Sequence, residues 1–413
     1  MSRRRVVITG IGVVSPIGHD LSTFWNGILE SRNGVGPITL FDASEFKTRF
    51  AMEVADFDPT VRIERKMMRQ LDRFAQFALV AAAEAMEDSA LDPSADPTRY
   101  GVITGSGIGG LGEIEAQHDN FRDRGPSRIS PYFVPKMMMN AASGQIAIQH
   151  GLQGSNFATV SACASSQHAL GVALGSIVAD RCDAVLAGGS EAAITPLGVG
   201  GFCSLKAMSV RNDDPTTAMR PFQASRDGFV MGEGGAIFVF EELEHARSRG
   251  AKIYCEVLGF GSTDDAHHIT APDPDSKMAV EAMRSAVKQA GKNLEDVNYI
   301  NAHGTSTPLN DVMEMGAIRQ LFGSHADHLM VSSTKSQVGH LLGASGAVEL
   351  AAVAVGIREG VVPATINQVD PDPDCDLDSV PDEPREAQID VALSNSFGFG
   401  GHDACLCVGR FKD

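Results

Sequence analysis

The sequence has no cysteine pair in C-x-x-C spacing, and its cysteine total is odd: seven, at positions 163, 182, 203, 255, 375, 405 and 407. That argues against a disulfide scaffold and for a reducing compartment, so the cytoplasm is the expected location. Cys405 and Cys407 alternate on a strand pattern and read as core. There is no H-E-x-x-H, and His267, His268, His325 and His328 read as surface histidines. The first Gly-rich stretch of the chain does not continue as G-x-G-x-x-G either. Thr9-Gly10-Ile11-Gly12 reads as a Gly-rich turn after a strand at 5–9, with weak claim to a dinucleotide. No apolar run reaches the roughly 18 residues of a membrane span. Arg3-Arg4-Arg5 before residues 6–14 imitates a signal peptide, but Gly10 and Gly12 interrupt it and no clean cleavage site follows. Trp occurs once and Tyr four times. Cations fall short of anions, 34 against 52, for a net charge of −18. That balance argues against nucleic acid as a general partner.

What is present is a chain of 413 residues, 43% hydrophobic, long enough for a large core and two similar-sized domains. The stretch Thr159-Val160-Ser161-Ala162-Cys163-Ala164-Ser165-Ser166-Gln167-His168 reads as a strand end, a tight turn of small residues and the start of an Ala/Leu helix. Cys163 at a helix start meets unpaired N–H groups and the helix dipole, which lower a thiol's pKa. It is therefore a candidate nucleophile, against the blander role of a buried structural cysteine.

The two halves of the chain follow a similar order. A helix at 74–89 and a strand at 100–104 precede a polar loop. A helix at 276–289 and a strand running into a polar loop at 299–305 follow the same order. A duplicated α/β unit fits this better than one long sheet. Cations at 62, 65, 66, 69 and 73 recur at helical spacing and suggest a basic face for an acidic partner. His303, after a predicted strand, and His340, in Lys335-Ser336-Gln337-Val338-Gly339-His340, sit in Gly-flanked loops. Such loops are where α/β sheets place active sites. A cysteine with two such histidines suggests a nucleophile with hydrogen-bond donors.

With these residues the sequence resembles the type II β-ketoacyl-[acyl-carrier-protein] synthases, the elongating condensing enzymes of the thiolase superfamily. The match runs from Val6-Val7-Ile8-Thr9-Gly10 to Asn395-Ser396-Phe397-Gly398-Phe399-Gly400-Gly401. It is carried by Ser161-Ala162-Cys163-Ala164, by His303-Gly304-Thr305-Ser306-Thr307-Pro308, and by Thr334-Lys335 through Gly339-His340. The resemblance implies a thiolase-like five-layered αβαβα fold from two similar halves, here 1–251 with the cysteine and 252–413 with the histidines, and a homodimer. It implies decarboxylative Claisen condensation of an acyl chain on Cys163 with malonyl-acyl-carrier-protein in fatty acid elongation. His303 and His340 would handle decarboxylation, supported by Lys335 with Glu349 as its partner. Backbone N–H groups of Cys163 and Phe399 would form the oxyanion hole, with Phe399 as gate.

The resemblance further implies that Thr305 and Thr307 bind the pantetheine arm. Ile108, Phe133 and Phe202 would line the acyl pocket, Phe133 from across the dimer. Lys66, Arg69 and Lys206 would dock acyl carrier protein. No cofactor is required, substrates travel on the carrier's phosphopantetheine, and Asn301, Glu314, Ser394 and Asn395 fall where some members hold a structural monovalent cation. Two places depart from the family pattern: Ser165-Ser166-Gln167 after the cysteine, and Asp403 where an Asn is usual. The alternatives are a polyketide chain-extending ketosynthase with the same residues and, less favoured, a CoA-dependent thiolase, which typically replaces one histidine with a second cysteine. A chain-length partner subunit lacks the nucleophile, so Cys163 argues against it.

Overall fold

Ten strands form one mixed sheet in the computed structural model, which describes residues 4–412; Arg3 of the basic run lies outside them. The first half supplies β1 (Val6–Val14), β2 (Tyr100–Gly105), β3 (Asn156–Thr159), β4 (Ala184–Glu191) and β5 (Gly234–Glu242). The second supplies β6 (Glu256–Asp264), β7 (Tyr299–Asn301), β8 (Met330–Ser332), β9 (Val391–Gly398) and β10 (His402–Gly409). The spatial order is β3-β2-β4-β5-β1, then β6-β10-β9-β7-β8. In each half the third, second and fourth strands run parallel, and the fifth is antiparallel to both the fourth and the first. The halves meet through their first strands, at Val6–Val257 and Val7–Glu256. Topology thus repeats where sequence similarity is faint.

Helices complete the layers. Arg73–Ser89 covers the outer face of the first half on β1 and β5, and Lys277–Gln289 covers the second on β6 and β10. Between the half-sheets lie Ser165–Val178 and Ser345–Glu359, packed on each other and on strands of both halves. A helix enclosed on every side has no use for a polar face. Ser345–Glu359 is accordingly buried without interruption from Ser345 to Ile357. Burial of each large apolar side chain, Phe74 and Phe77 on the outer helix for example, contributes about 1.5–3 kcal/mol.

Two expectations fail here. Thr9-Gly10-Ile11-Gly12 is not a turn: it lies inside β1, with a register irregularity between Ile8 and Gly10. A Cβ on Gly10 would stand 2.3 Å from Ala85 O, and one on Gly12 1.9 Å from Ala81 O. These glycines let the Ala-rich outer helix lie directly against the strand. The cations at 62–73 do not share one α-helical face. Residues Arg65–Gln70 form a 3-10 segment, Leu71 is extended, and Asp72 starts the α-helix by accepting from Phe74 N. Arg62 turns to Glu87 and Arg73 pairs with buried Glu233, which leaves Arg65, Lys66 and Arg69 exposed, with Lys66 bridged to Glu64 at 2.7 Å. Cys405 and Cys407 are core residues, as expected, and His325 is half-buried with its Nε2 against Val297 O.

Candidate active site

Cys163 lies between β3 and the Ser165–Val178 helix, on a turn where Ala162 has φ +49°. That left-handed conformation is strained for a residue with a Cβ. It is held by Ser165, whose hydroxyl donates to Ala162 O at 2.7 Å and accepts from Ser161 N at 2.9 Å. The other departures from the family pattern also have tasks. Ser166 Oγ accepts from Ala347 N, one of the unpaired first-turn donors of the Ser345–Glu359 helix, and Gln167 Nε2 donates to Ser394 O on β9. All three residues are buried, and Ser166 and Gln167 fasten the helix after Cys163 to the second half. Gly398 completes the turn's surroundings: a Cβ there would meet Ser161 O at 2.8 Å and Cys163 N at 3.2 Å.

The second half brings its side chains to the same point. His340 Nε2 is 3.1 Å from Cys163 Sγ, and its Nδ1 is 2.9 Å from Ser345 Oγ. His303 packs edge-on against His340, ring centroids 5.3 Å apart. Its Nδ1 is 3.3 Å from Lys335 Nζ, which pairs with Glu349 at 2.5 Å, both fully buried. An ammonium only donates, so Lys335 fixes the His303 tautomer with the proton on Nε2. Ser345, donating to His340 Nδ1, permits the same tautomer there. Burial and then the Lys335 charge hold both imidazoles well below the usual histidine range, with His340 adding to the effect on His303. Both rings are neutral near pH 7.

The thiol corrects the expectation drawn from its helix start. Burial pushes Cys163 up to about 12, and Lys335 and the N–H groups of Phe399 and Cys163 offset this only in part. A helix start favours a thiolate, but here desolvation dominates. The resting sulfur is a neutral thiol.

A cavity of about 340 Å³ opens beside these groups, lined by Cys163, Phe202, Phe229, His303, His340 and Phe399. Thr305 and Thr307, hydroxyls 2.9 Å apart, and exposed Lys206 also line it. Ile108 does not line this cavity. It packs behind it, against the cluster that contains Cys163, Phe229 and Leu342. Phe133, at the start of the short Phe133–Met137 helix, is half-buried and away from the cavity within one chain. Lys66 and Arg69 are exposed on their 3-10 segment, likewise outside the lining. Asp403 is buried, and its carboxyl is pushed up to about 8 by burial and by Asp265 beside it.

Behind His303 is a polar cluster. Glu314 accepts from His303 N and Gly304 N at 2.8 Å each, and from Asn395 Nδ2 at 3.1 Å. Burial outweighs those donors and raises its carboxyl to about 7. Asn301 Oδ1, Ser394 Oγ and Asn395 Oδ1 are buried without a hydrogen-bond partner among the described residues. Ser345, Gly398 and Phe229, whose ring stacks edge-on 5.2 Å from His340, went unrecognised in the sequence. The Gly398 signal was there in the Phe-Gly-Phe-Gly-Gly run, whereas Ser345 looked like any helix-start serine.

Comparison with known proteins follows the same lines. Residues 3–246 match the model of the beta-ketoacyl synthase N-terminal domain, and residues 254–369 that of the C-terminal domain. This chain belongs to the beta-ketoacyl synthase family. It is 51% identical to a 3-oxoacyl-[acyl-carrier-protein] synthase 2 of Synechocystis sp., over 100% of this chain and 99% of that one. It is 49% identical to one of Coxiella burnetii, over 100% of both. Among solved structures it resembles the ishigamide ketosynthase/chain length factor, at TM-score 0.94 and 33% identity over 100% of both chains. It also resembles a type II PKS ketosynthase bound to the hexaketide, in complex with its acyl-carrier protein, at TM-score 0.92 and 35% identity over 100% of both chains. The thiolase-like ketosynthase fold expected from the sequence is the fold observed.

Proposed function

We infer that this protein condenses an acyl chain held on Cys163 with malonyl-acyl-carrier-protein, giving 3-oxoacyl-carrier-protein, CO2 and free carrier in fatty acid elongation. The observation that carries this is the meeting of a buried thiol with two neutral imidazoles in one cavity. In acyl transfer, the Cys163 sulfur bonds to the acyl carbon, the carrier's sulfur leaves, and the thiol proton ends on the carrier thiol. The N–H groups of Cys163 and Phe399 receive the oxyanion; one such donor contributes about 3–4 kcal/mol in the transition state.

In the second step malonyl loses CO2, and the electron pair of the broken bond becomes an enolate. Nε2–H groups of His303 and His340 donate to its oxygen. A neutral donor stabilises the enolate without protonating its carbon. That carbon attacks the Cys163 thioester, the sulfur leaves as thiolate and regains a proton, and the chain is two carbons longer. Lys335, paired with Glu349, holds the His303 tautomer. The roughly 50% identity to 3-oxoacyl-[acyl-carrier-protein] synthases, against 35% to the type II PKS ketosynthase structure, favours fatty acid over polyketide supply. The second histidine disfavours the thiolase reaction.

Acyl carrier protein is the partner in this reading. Thr305 and Thr307 receive its pantetheine arm, and Lys66, Arg69 and Lys206 receive its acidic surface. Ile108, Phe133 and Phe202 bound the acyl chain, with Ile108 as a back wall beyond Cys163. The chain works as a homodimer across the edge strand β3. Exposed Phe157 on that strand supports this, as do exposed Tyr132, Val134 and Met138 on and beside the short Phe133–Met137 helix. A structural monovalent cation fits the unpartnered oxygens of Asn301, Ser394 and Asn395 beside Glu314, a set of hard oxygen donors. Bound there, it would steady the backbone of the His303 loop. All seven cysteines are unpaired, which supports a cytoplasmic location, and among the described residues no helix is long and apolar enough to cross a membrane.

The test is intact-protein mass after mixing with a panel of acyl-carrier proteins, followed by malonyl-carrier. The expected result is acyl-enzyme on Cys163 and a 3-oxoacyl-carrier product. Acyl-enzyme without any condensed product would contradict the reading.

A further inference from the structure

Glu191, the last residue of β4, is fully buried and takes no part in the chemistry described above. Its carboxylate faces five donors. Oε2 accepts from Gly107 N at 2.6 Å and Gly343 N at 3.0 Å. Oε1 accepts from Ser106 Oγ at 2.9 Å, Ile108 N at 3.2 Å and Gly109 N at 3.3 Å. Ser106 Oγ itself accepts from Gly109 N, so its proton is directed to Glu191. The four backbone groups can only donate, so the cradle favours the ionised form, while burial pushes the carboxyl above its ordinary range; no cation forms a salt bridge with it among the described residues. The cradle is also closed to side chains. A Cβ on Gly343 would lie 2.2 Å from Gly107 N and 2.7 Å from Glu191 Oε2, and one on Gly107 would be 3.0 Å from the same oxygen.

The five donors come from two separate places. Residues 106–109 form the loop after β2 and carry Ile108 to the back wall. Gly343 lies in the turn three residues after His340. The nucleophile's turn is adjacent, since a Cβ on Gly107 would also touch Ala162 O at 3.4 Å. One buried carboxylate therefore joins the loop behind the acyl chain to the turn behind the histidine.

We propose that Glu191 is a positioning residue that locks the Ile108 loop to the His340 turn and thereby sets which acyl chain lengths Cys163 accepts. This rests on the reading in which Ile108 bounds the acyl chain. Loss of the carboxylate frees up to four backbone donors in a dry site, and the loop must move to find partners. A displacement of about 1 Å at such a wall changes rates by up to about a hundredfold, and it acts on long chains more than on short ones. The same charge acts on the thiol, because Glu191 opposes ionisation of Cys163.

The experiment uses the full-length enzyme and carriers loaded with a series of saturated acyl chains from short to long. Acyl-enzyme formation is followed by mass. Iodoacetamide alkylation of Cys163 is followed against pH. In Glu191→Gln the ratio of long-chain to short-chain transfer should change by about tenfold or more, and alkylation should move to lower pH because a nearby negative charge is gone. Ser106→Ala, which keeps the charge and removes one donor, should shift the length profile less and leave alkylation in place. A folded Glu191→Gln that loses all lengths equally, or keeps both parental curves, overturns the proposal. If Glu191→Gln does not fold, Ser106→Ala decides: an unchanged length profile overturns it. Ile108→Phe separates the two readings. An unchanged profile there removes Ile108 from the pocket. A profile changed by Ile108→Phe but not by Glu191→Gln leaves the pocket intact and removes only the role of Glu191.

Discussion

The two half-sheets share strand order and direction but carry opposite chemistry at equivalent places. After its third strand, the first half makes a short turn holding Cys163 and starts a central helix at Ser165. After its third strand, β8, the second half makes a longer excursion holding Lys335 and His340 and starts its central helix at Ser345. After its second strand, one half presents Ile108 and the other His303. Both of these loops give backbone N–H groups to a buried carboxylate, Glu191 in one case and Glu314 in the other. The connection from fourth to fifth strand reverses the length difference. In the first half it runs through residues 192–233 and supplies Phe202, Lys206 and Phe229. In the second it is only Phe399-Gly400-Gly401. The duplicated frame thus brings equivalent loops together around one cavity, and unequal loop contents make its two sides chemically different.

The largest effect is expected at the buried ion pair of the second half. Lys335→Met leaves the Glu349 carboxyl buried without its partner, at a cost of about 3–5 kcal/mol. Thermal unfolding should show a clearly lowered midpoint, and both half-reactions should fail. Lys335→Met with Glu349→Gln should regain stability but not decarboxylation. A single Lys335→Met variant with parental stability would mean that the pair is not buried as described.

The first half is tested through its backbone. Gly398→Ala places a methyl against Ser161 O and Cys163 N, so the turn that carries Cys163 must shift. Acyl-enzyme formation should fall by about a hundredfold in a protein that still folds. Retained acylation would show that the turn tolerates displacement.

The halves should also differ in their response to pH. Alkylation of resting Cys163 should be slow near neutral pH and rise steeply in the alkaline range, as expected for a thiol pushed up to about 12. A midpoint near neutrality would restore the helix-start expectation. The histidines act on stability instead. In the unfolded chain they titrate near 6.5, while in the fold they stay neutral well below it. As pH falls below about 6.5 the unfolded state binds protons that the folded state does not, so their contribution is lost on acidification. Glu314, raised to about 7, works in the opposite sense. The difference in denaturant midpoint between parent and a His303→Asn/His340→Asn variant isolates the histidines, and it should shrink toward low pH.

The smallest effect belongs to the exposed cations. Reversing Lys66 and Arg69 should weaken carrier-protein binding severalfold and reduce its salt dependence, with little change for a small pantetheine thioester. Equal losses on both substrates would make these residues structural.

The sequence made much of this legible because spacing and motif act locally. Cys163 at a helix start, the Gly-flanked histidines and the repeated order of helix and strand were all readable before any coordinates. What failed depended on distant packing. Gly10 and Gly12 looked like a turn because nothing nearby in sequence announces Ala81 and Ala85. The cations at 62–73 looked like one face because a helix period cannot reveal that Leu71 is extended or that Arg73 finds Glu233. The thiol's pKa looked depressed because a dipole is local, whereas desolvation comes from residues of both halves. Glu191 carried no motif at all, since its partners are backbone groups far along the chain.

If the division of labour holds, the first half accepts the acyl group and the second makes the enolate. Acyl-enzyme mass and labelled CO2 release, measured together on folded Cys163→Ala and His303→Ala, test it most directly. Cys163→Ala should form no acyl-enzyme yet still release CO2 from malonyl-carrier. His303→Ala should take up acyl groups but decarboxylate about 100- to 1,000-fold more slowly, the cost of one lost donor. If Cys163→Ala releases no CO2 while His303→Ala releases it at the parental rate, the division of labour between the halves is wrong.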